Sequence, residues 1–330
     1  MSIRCVPCLA ARRLACALGL TLLTAAPGAA AAELPEPLPL AAALGLAADH
    51  PRLAVGETGA PPRRAPLYLG CHDLAFGSGA DDRRDRVGTD LLPPLEAQRL
   101  EILERFFDVL IADLGFSSSN EAMAIAYIQY DRGNIRRDLG QFSELKAAEL
   151  TAAYQAVRQR RASAEAGQRL TRGLLAQALN RPETLPRELV VPKLPPPPAA
   201  LPDLGAVISV AEAGNPALGR LKAAADAAGA RLLDLDLRQQ ALELLLRLQA
   251  LAVSHDSAEA ESAWRDLRLE ESRVLYEQEA AADLGFSMSQ QTRAHQDQQR
   301  VAYCRALAWA ELQALQGRPV WPDTDTGKQP

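Results

Sequence analysis

The chain has 330 residues, a formal charge of −5 and a low aromatic content of 5 %. The acidic balance argues against nucleic acid or an anionic membrane face as the main partner. Five cysteines in this length exclude a disulfide-dense scaffold, and the Ala- and Leu-rich composition favours helices whose backbones approach closely.

Residues 1–32 read as a signal peptide. Arg4, Arg12 and Arg13 form a basic start, and an apolar stretch from Leu14 to Ala26 is followed by small residues suited to cleavage near Ala32. Cys16 precedes most of the apolar run, whereas a lipidated cysteine would follow it. Losing the three arginines moves the formal charge from −5 to about −8. Only Cys71 and Cys304 remain, which leaves room for one bridge or none.

Residues 33–94 are rich in Pro, Gly and Arg, and segments such as PPRRAP and GSGADDRRDRVG read as loop or poorly ordered chain. APLYLGCHDLAFG, at 65–77, is a short strand candidate. Residues 95–185 read as helix from Leu95 to Arg137 and from Ser143 to Asn180, about 65 Å and 57 Å at 1.5 Å per residue. Helices of that length pair lengthwise as hairpins. Residues 186–205 form a Pro-rich linker, with PPPP favouring an extended segment. Residues 206–318 are helical again, and 319–330 form a polar tail. Asn215-Pro216 marks a helix start. After it, Leu218, Leu221, Ala225, Ala228, Leu232 and Leu235 fall on a heptad seam, interrupted at Gln239 and resumed at Leu242 and Leu246.

The hexamer ADLGFS occurs at 112–117 and 282–287, and DLG alone at 138–140. Flanking sequence favours Gly140, rather than Gly115, as the counterpart of Gly285. Each is followed by serine and one long helical stretch that closes before x-Arg-Pro. Glycine accepts φ > 0 and ends the incoming helix. Ser143 or Ser287 is then expected to cap the outgoing one. Glu144 is placed favourably for the helix dipole. The expected fold is all-α: long antiparallel helical hairpins in two repeats.

With its duplicated helix–(LG-x-S)–helix unit, its AEAGNPALGRL opening of the second repeat and its first-repeat run over ERFFDVLIADLGFSSSNEAM…LNRP, the chain resembles the TolC family of outer-membrane efflux ducts over residues 95–320. The resemblance implies a homotrimeric helical tunnel in the periplasm or outer membrane. Its turns would dock a periplasmic membrane-fusion adaptor engaged by an inner-membrane pump. Carried over, the first tip is Asp138, Leu139, Gly140, Ser143, Glu144 and Leu145. The second is Asp283, Leu284, Gly285, Ser287 and Ser289. The chain departs from the family in lacking two strands of about 9–11 alternating residues per repeat, which a membrane barrel requires. A non-conducting periplasmic scaffold or adaptor-binding protein is therefore the alternative function, and a plain helical structural protein a third.

No catalytic, cofactor or metal motif is recognisable. His255-Asp256 reads as a capping pair, His295 as part of a polar stripe, and Cys71-His72 lacks metal-site spacing. Arg158, Arg160 and Arg161 read as a solvated face, and Tyr127, Tyr130 and Tyr154 as coiled-coil packing. An enzyme is not expected.

Overall fold

The computed structural model describes residues 34–77, 89–198, 200–278 and 284–322. The leader expected over residues 1–32, most of GSGADDRRDRVG, Asp283 and the end of the tail lie outside them. Short helices α1 (Leu40–Gly45), α2 (Arg52–Gly59) and α3 (Cys71–Phe76) precede two long ones, α4 (Pro94–Asp138) and α5 (Glu144–Ala178). After the linker come α6 (Leu204–Gly214), α7 (Pro216–Ala224), α8 (Ala227–Glu277) and α9 (Leu284–Leu315). No β-strand forms among the described residues. The one pairing among them is an isolated parallel bridge between Leu38 and Leu189, which ties the N-terminal stretch to the linker.

Local chemistry sets these limits. Pro94 opens α4, where a missing N–H costs nothing. Ser143 caps α5 by accepting from the Lys146 amide. Asn215 caps α7 by accepting from the amides of Ala217 and Leu218, while its Nδ2 donates to the carbonyls of Leu91 at 2.7 Å and Leu315 at 2.9 Å. Both ends of this buried amide are thus used, and it pins the start of the second repeat to the end of α9.

The four long helices form a layer in the order α5, α4, α9, α8. Extended packing joins α5 to α4, α4 to α9 and α9 to α8. Pairing of α4 with α9 is antiparallel: Phe107 stacks on Tyr303 at 4.5 Å, Gly115 faces Gln296, and Ile125 faces Gly285. The lower half of the layer holds the core. From Ile102 to Ala112 every residue of α4 is buried, so this stretch is enclosed on all sides. Leu237, Ala241, Leu244, Leu248 and Leu251 of α8 and Leu307, Leu312 and Leu315 of α9 complete the core. Inside it Arg247 pairs with Glu311 at 3.2 Å, both side chains nearly inaccessible.

Residues 63–76 lie across this layer as a belt. Arg63 pairs with Glu101 of α4, and Arg105 donates to the carbonyls of Arg64 and Ala65. The amides of Leu67 and Tyr68 donate to Asp108 at 2.8 and 2.7 Å, and the Tyr68 ring lies against Gly167 of α5. Arg300 of α9 donates to the Leu69 carbonyl. Cys71 is disulfide-bonded to Cys304 of α9, with a Cα–Cα distance of 5.3 Å, and α3 packs on α8. Burial raises the Asp108 carboxyl above its ordinary value, although its backbone donors and Arg105 pull the other way. The segment expected to be irregular, with a strand at 65–77, is therefore a helix-containing strap. Composition hid this because its contacts are made by backbone groups and long-range side chains.

The heptad seam is placed differently from expectation. Ala225 is extended, and Asp226 restarts the helix by accepting from the Gly229 amide at 2.7 Å. Leu218 is buried, but Leu232, Leu235, Leu242 and Leu246 are exposed. The residues that pack inside the chain are Leu237, Ala241, Leu244, Leu248 and Leu251, on another face of α8.

Candidate functional site

At the first turn Leu139 ends α4, and Gly140 takes φ 71°. The Gly140 amide donates to the Arg137 carbonyl, and that of Gln141 to the Arg136 carbonyl, both at 2.8 Å. This is a glycine-terminated helix end, as the sequence implied. Asp138 accepts from Arg137 and holds its guanidinium above the ordinary value, and Arg136 lies over the Phe142 ring at 5.3 Å. Glu144 sits in the first turn of α5. Leu139 and Leu145 are 67 % and 81 % exposed, so this turn presents two leucines to solvent, flanked by carboxylates.

The second turn is built differently. Leu284 and Gly285 already belong to α9, and Gly285 does not have positive φ. A Cβ at Gly285 would stand 2.7 Å from Cγ2 of Ile125, so this glycine serves close approach of α9 to α4, not chain reversal. Ser287 is no cap. It is buried one turn into the helix and hydrogen-bonds Ser272 across the α8–α9 seam at 2.7 Å. Ser289 Oγ donates to the Phe286 carbonyl. Phe286, next to Gly285 in the carried-over tip, is 58 % exposed and presents an apolar ring at this end.

The first turn does not lie level with the described end of α8. Helix α4 rises 13 residues beyond Ile125, about 20 Å, and α8 ends within about 5 Å of the level of Gly285. The first turn therefore overhangs the described end of α8 by about 15 Å. Gly115, in the duplicated hexamer, lies inside unbroken α4, as expected from its flanks.

Between the turns and the belt, α5 and α9 stand on either side of α4 and leave a groove of about 880 Å³. Small residues of α4 (Gly115, Ser119, Ala122, Ala126) lie along it, and Tyr68 of the belt is at one end. Its walls carry Arg160, Arg293 and Arg300 against one carboxylate, Asp297. Helix α8 forms an outer edge of the layer. Leu235, Leu242, Leu246, Val253, Leu267 and Val274 fall on one face of it at about 100° per residue. All are exposed, with Val253 and Leu267 at 70 % and 73 %. This is the continuation of the predicted heptad, facing outward.

Several of the polar and aromatic groups singled out in the sequence have structural partners. Tyr130 stacks on Tyr154 at 5.0 Å, with Tyr127 beside them. Arg161 donates to Asn120 at 2.7 Å and covers Phe116, while Arg158 and Arg160 are exposed. His295 meets Asp266 at 3.1 Å. His255-Asp256, expected as a cap, is internal to α8. Among the described residues no group of three metal-ligating side chains occurs, and no helix is long and apolar enough to cross a membrane.

No family model and no curated protein matches the chain. Among solved structures it is similar to CusC, in a study of conformational changes accompanying folding and transmembrane channel formation. Identity is 12 % and TM-score 0.47, over 86 % of this chain and 93 % of that one. It is also similar to a membrane protein from Pseudomonas aeruginosa at 14 % identity and TM-score 0.36, over 70 % of this chain and 71 % of the other. Neither score is high enough to establish common descent, and the family resemblance stays a proposal.

Proposed function

We propose that the chain is a TolC-like component of an efflux or type I secretion duct, exported to the periplasm or outer membrane. The observation that supports this is the open four-helix layer, whose α8 edge carries an apolar heptad stripe that is exposed and covered by no other element among the described residues. A ring of three copies, each setting α8 against the α5 edge of the next, covers that stripe and encloses a helical conduit. The overhanging turn, with Leu139 and Leu145 exposed beside Asp138 and Glu144, is the docking point for a membrane-fusion adaptor and, through it, an inner-membrane pump. The Cys71–Cys304 disulfide suits an oxidising compartment.

The test is capture of assemblies from the cell envelope, with mass measurement of the purified protein. A trimer that co-purifies with an adaptor, and loses it on Leu139→Asp with Leu145→Asp, supports the reading. A monomer in the soluble periplasmic fraction with no adaptor overturns it. A second reading, a non-conducting periplasmic scaffold, is favoured by the belt. Residues 65–77, the stretch nearest to a membrane strand in the first repeat, are instead bonded across the helices. Adaptor capture without outer-membrane residence distinguishes the scaffold from the duct.

A further inference from the structure

The Pro-rich linker crosses the foot of α8 and α9 as an arch. Beneath Pro195 to Pro198 lies a pocket of about 280 Å³, lined by Leu201 of the linker, Leu248 of α8, and Ala302, Arg305, Ala306 and Trp309 of α9. The α9 residues are spaced i, i+3, i+4, i+7 and so share one face. Alanines at 302 and 306 leave the space that larger side chains would fill. The prolines roof it but have no N–H to donate.

Arg305 is the single charged group in this lining. It is half-buried, and no hydrogen bond or ion pair engages it among the described residues. Four other guanidinium groups contrast with it: those of Arg63, Arg105, Arg172 and Arg247 each have carboxylate or carbonyl partners. A guanidinium with no partner among the described residues is free to take a carboxylate through a charge-assisted, two-pronged hydrogen bond.

We propose that this pocket binds a small amphipathic monoanion: a carboxylate on Arg305, with an alkyl or aryl body under the proline arch and against Trp309. The volume lies near the lower end of the roughly 300–1,000 Å³ range of small-molecule sites, which fits a short-chain fatty or arylalkanoic acid. The lining supplies one cation and no cluster of donors, so phosphates and other polyanions are disfavoured. The site is independent of whether the chain forms a duct.

The test is calorimetry on the purified chain with octanoate, 3-phenylpropionate and the neutral 3-phenylpropionamide. Both acids are expected to bind saturably, 3-phenylpropionate at least about tenfold more tightly than the amide. Arg305→Gln should bring the acid to the level of the amide and leave the amide unchanged. Ala306→Phe, which fills the pocket, should abolish binding of all three. Absence of saturable binding of either acid, equal affinity for acid and amide, or an acid affinity unchanged by Arg305→Gln overturns the proposal. The acid–amide comparison on the unaltered protein decides the matter even where a variant fails to fold.

Discussion

Two glycines with the same backbone angle do different work. Gly140 takes φ 71° in open space, with nothing within 4 Å of a would-be Cβ. Gly317 takes φ 72° with the Gly214 carbonyl and Asn215 Cα crowded against it. In denaturant unfolding, Gly140→Ala should cost about 1–2 kcal/mol, the left-handed penalty alone. Gly317→Ala should cost about 3 kcal/mol or more, because backbone cannot move aside. Equal costs would refute the assignment. His50 gives a second residue-scale prediction. Its Nδ1 accepts from the Arg52 amide at 3.2 Å, and burial lowers its pKa below 6.5. The neutral ring is therefore favoured in the folded state. The stabilisation is present above pH 6.5 and is lost as pH falls below that value toward the folded pKa. Acidification from pH 7 to about 5 should lower the melting temperature of the native protein more than that of His50→Gln.

The disulfide acts on elements. Cys71 and Cys304 join the belt to α9 across 233 residues of sequence. Cys71→Ser with Cys304→Ser should cost about 2–5 kcal/mol. It should also make the belt a preferred site of limited proteolysis while helix content is retained. A belt as protected as in the native protein would show that its hydrogen bonds to α4 suffice. Element boundaries were largely legible in the sequence. Ser143, Asn215-Pro216 and the prolines at 93, 94 and 182 carry local chemistry that works before any tertiary contact. Three features were not legible. The break at Ala225 is marked by Asp226 alone, inside a run of alanines. Gly285 shares its DLG context with Gly140, but glycine serves both turns and close approach, and only the neighbouring Ile125 decides between them. The belt is fixed by Asp108, Arg105 and Arg300, each at least 35 residues away in sequence, with nothing local to announce them.

At the scale of the molecule, the decisive property is the unequal treatment of the two faces of α8. One face packs into the core and the other carries leucine and valine into solvent. Exposed patches of that kind usually mark association. Leu246→Glu with Val253→Glu should leave the unfolding free energy of the monomer within about 0.5 kcal/mol of native, since both side chains are already exposed. In sedimentation velocity the same pair should convert the assembled species to monomer. Sedimentation identical to native would exclude this face as the interface. The heptad was thus readable as a pattern, but its direction was not, because a periodic stripe has the same spacing whether its partner lies in the same chain or in another.

The long reach of the Cys71–Cys304 link also dictates an order of events. A chain made from its N-terminus presents the first thiol long before the second exists, so the belt waits unfastened while α4, α5 and α8 emerge. Only when most of α9 has appeared can the clasp close. Completion of the bond thereby records that synthesis has passed Cys304.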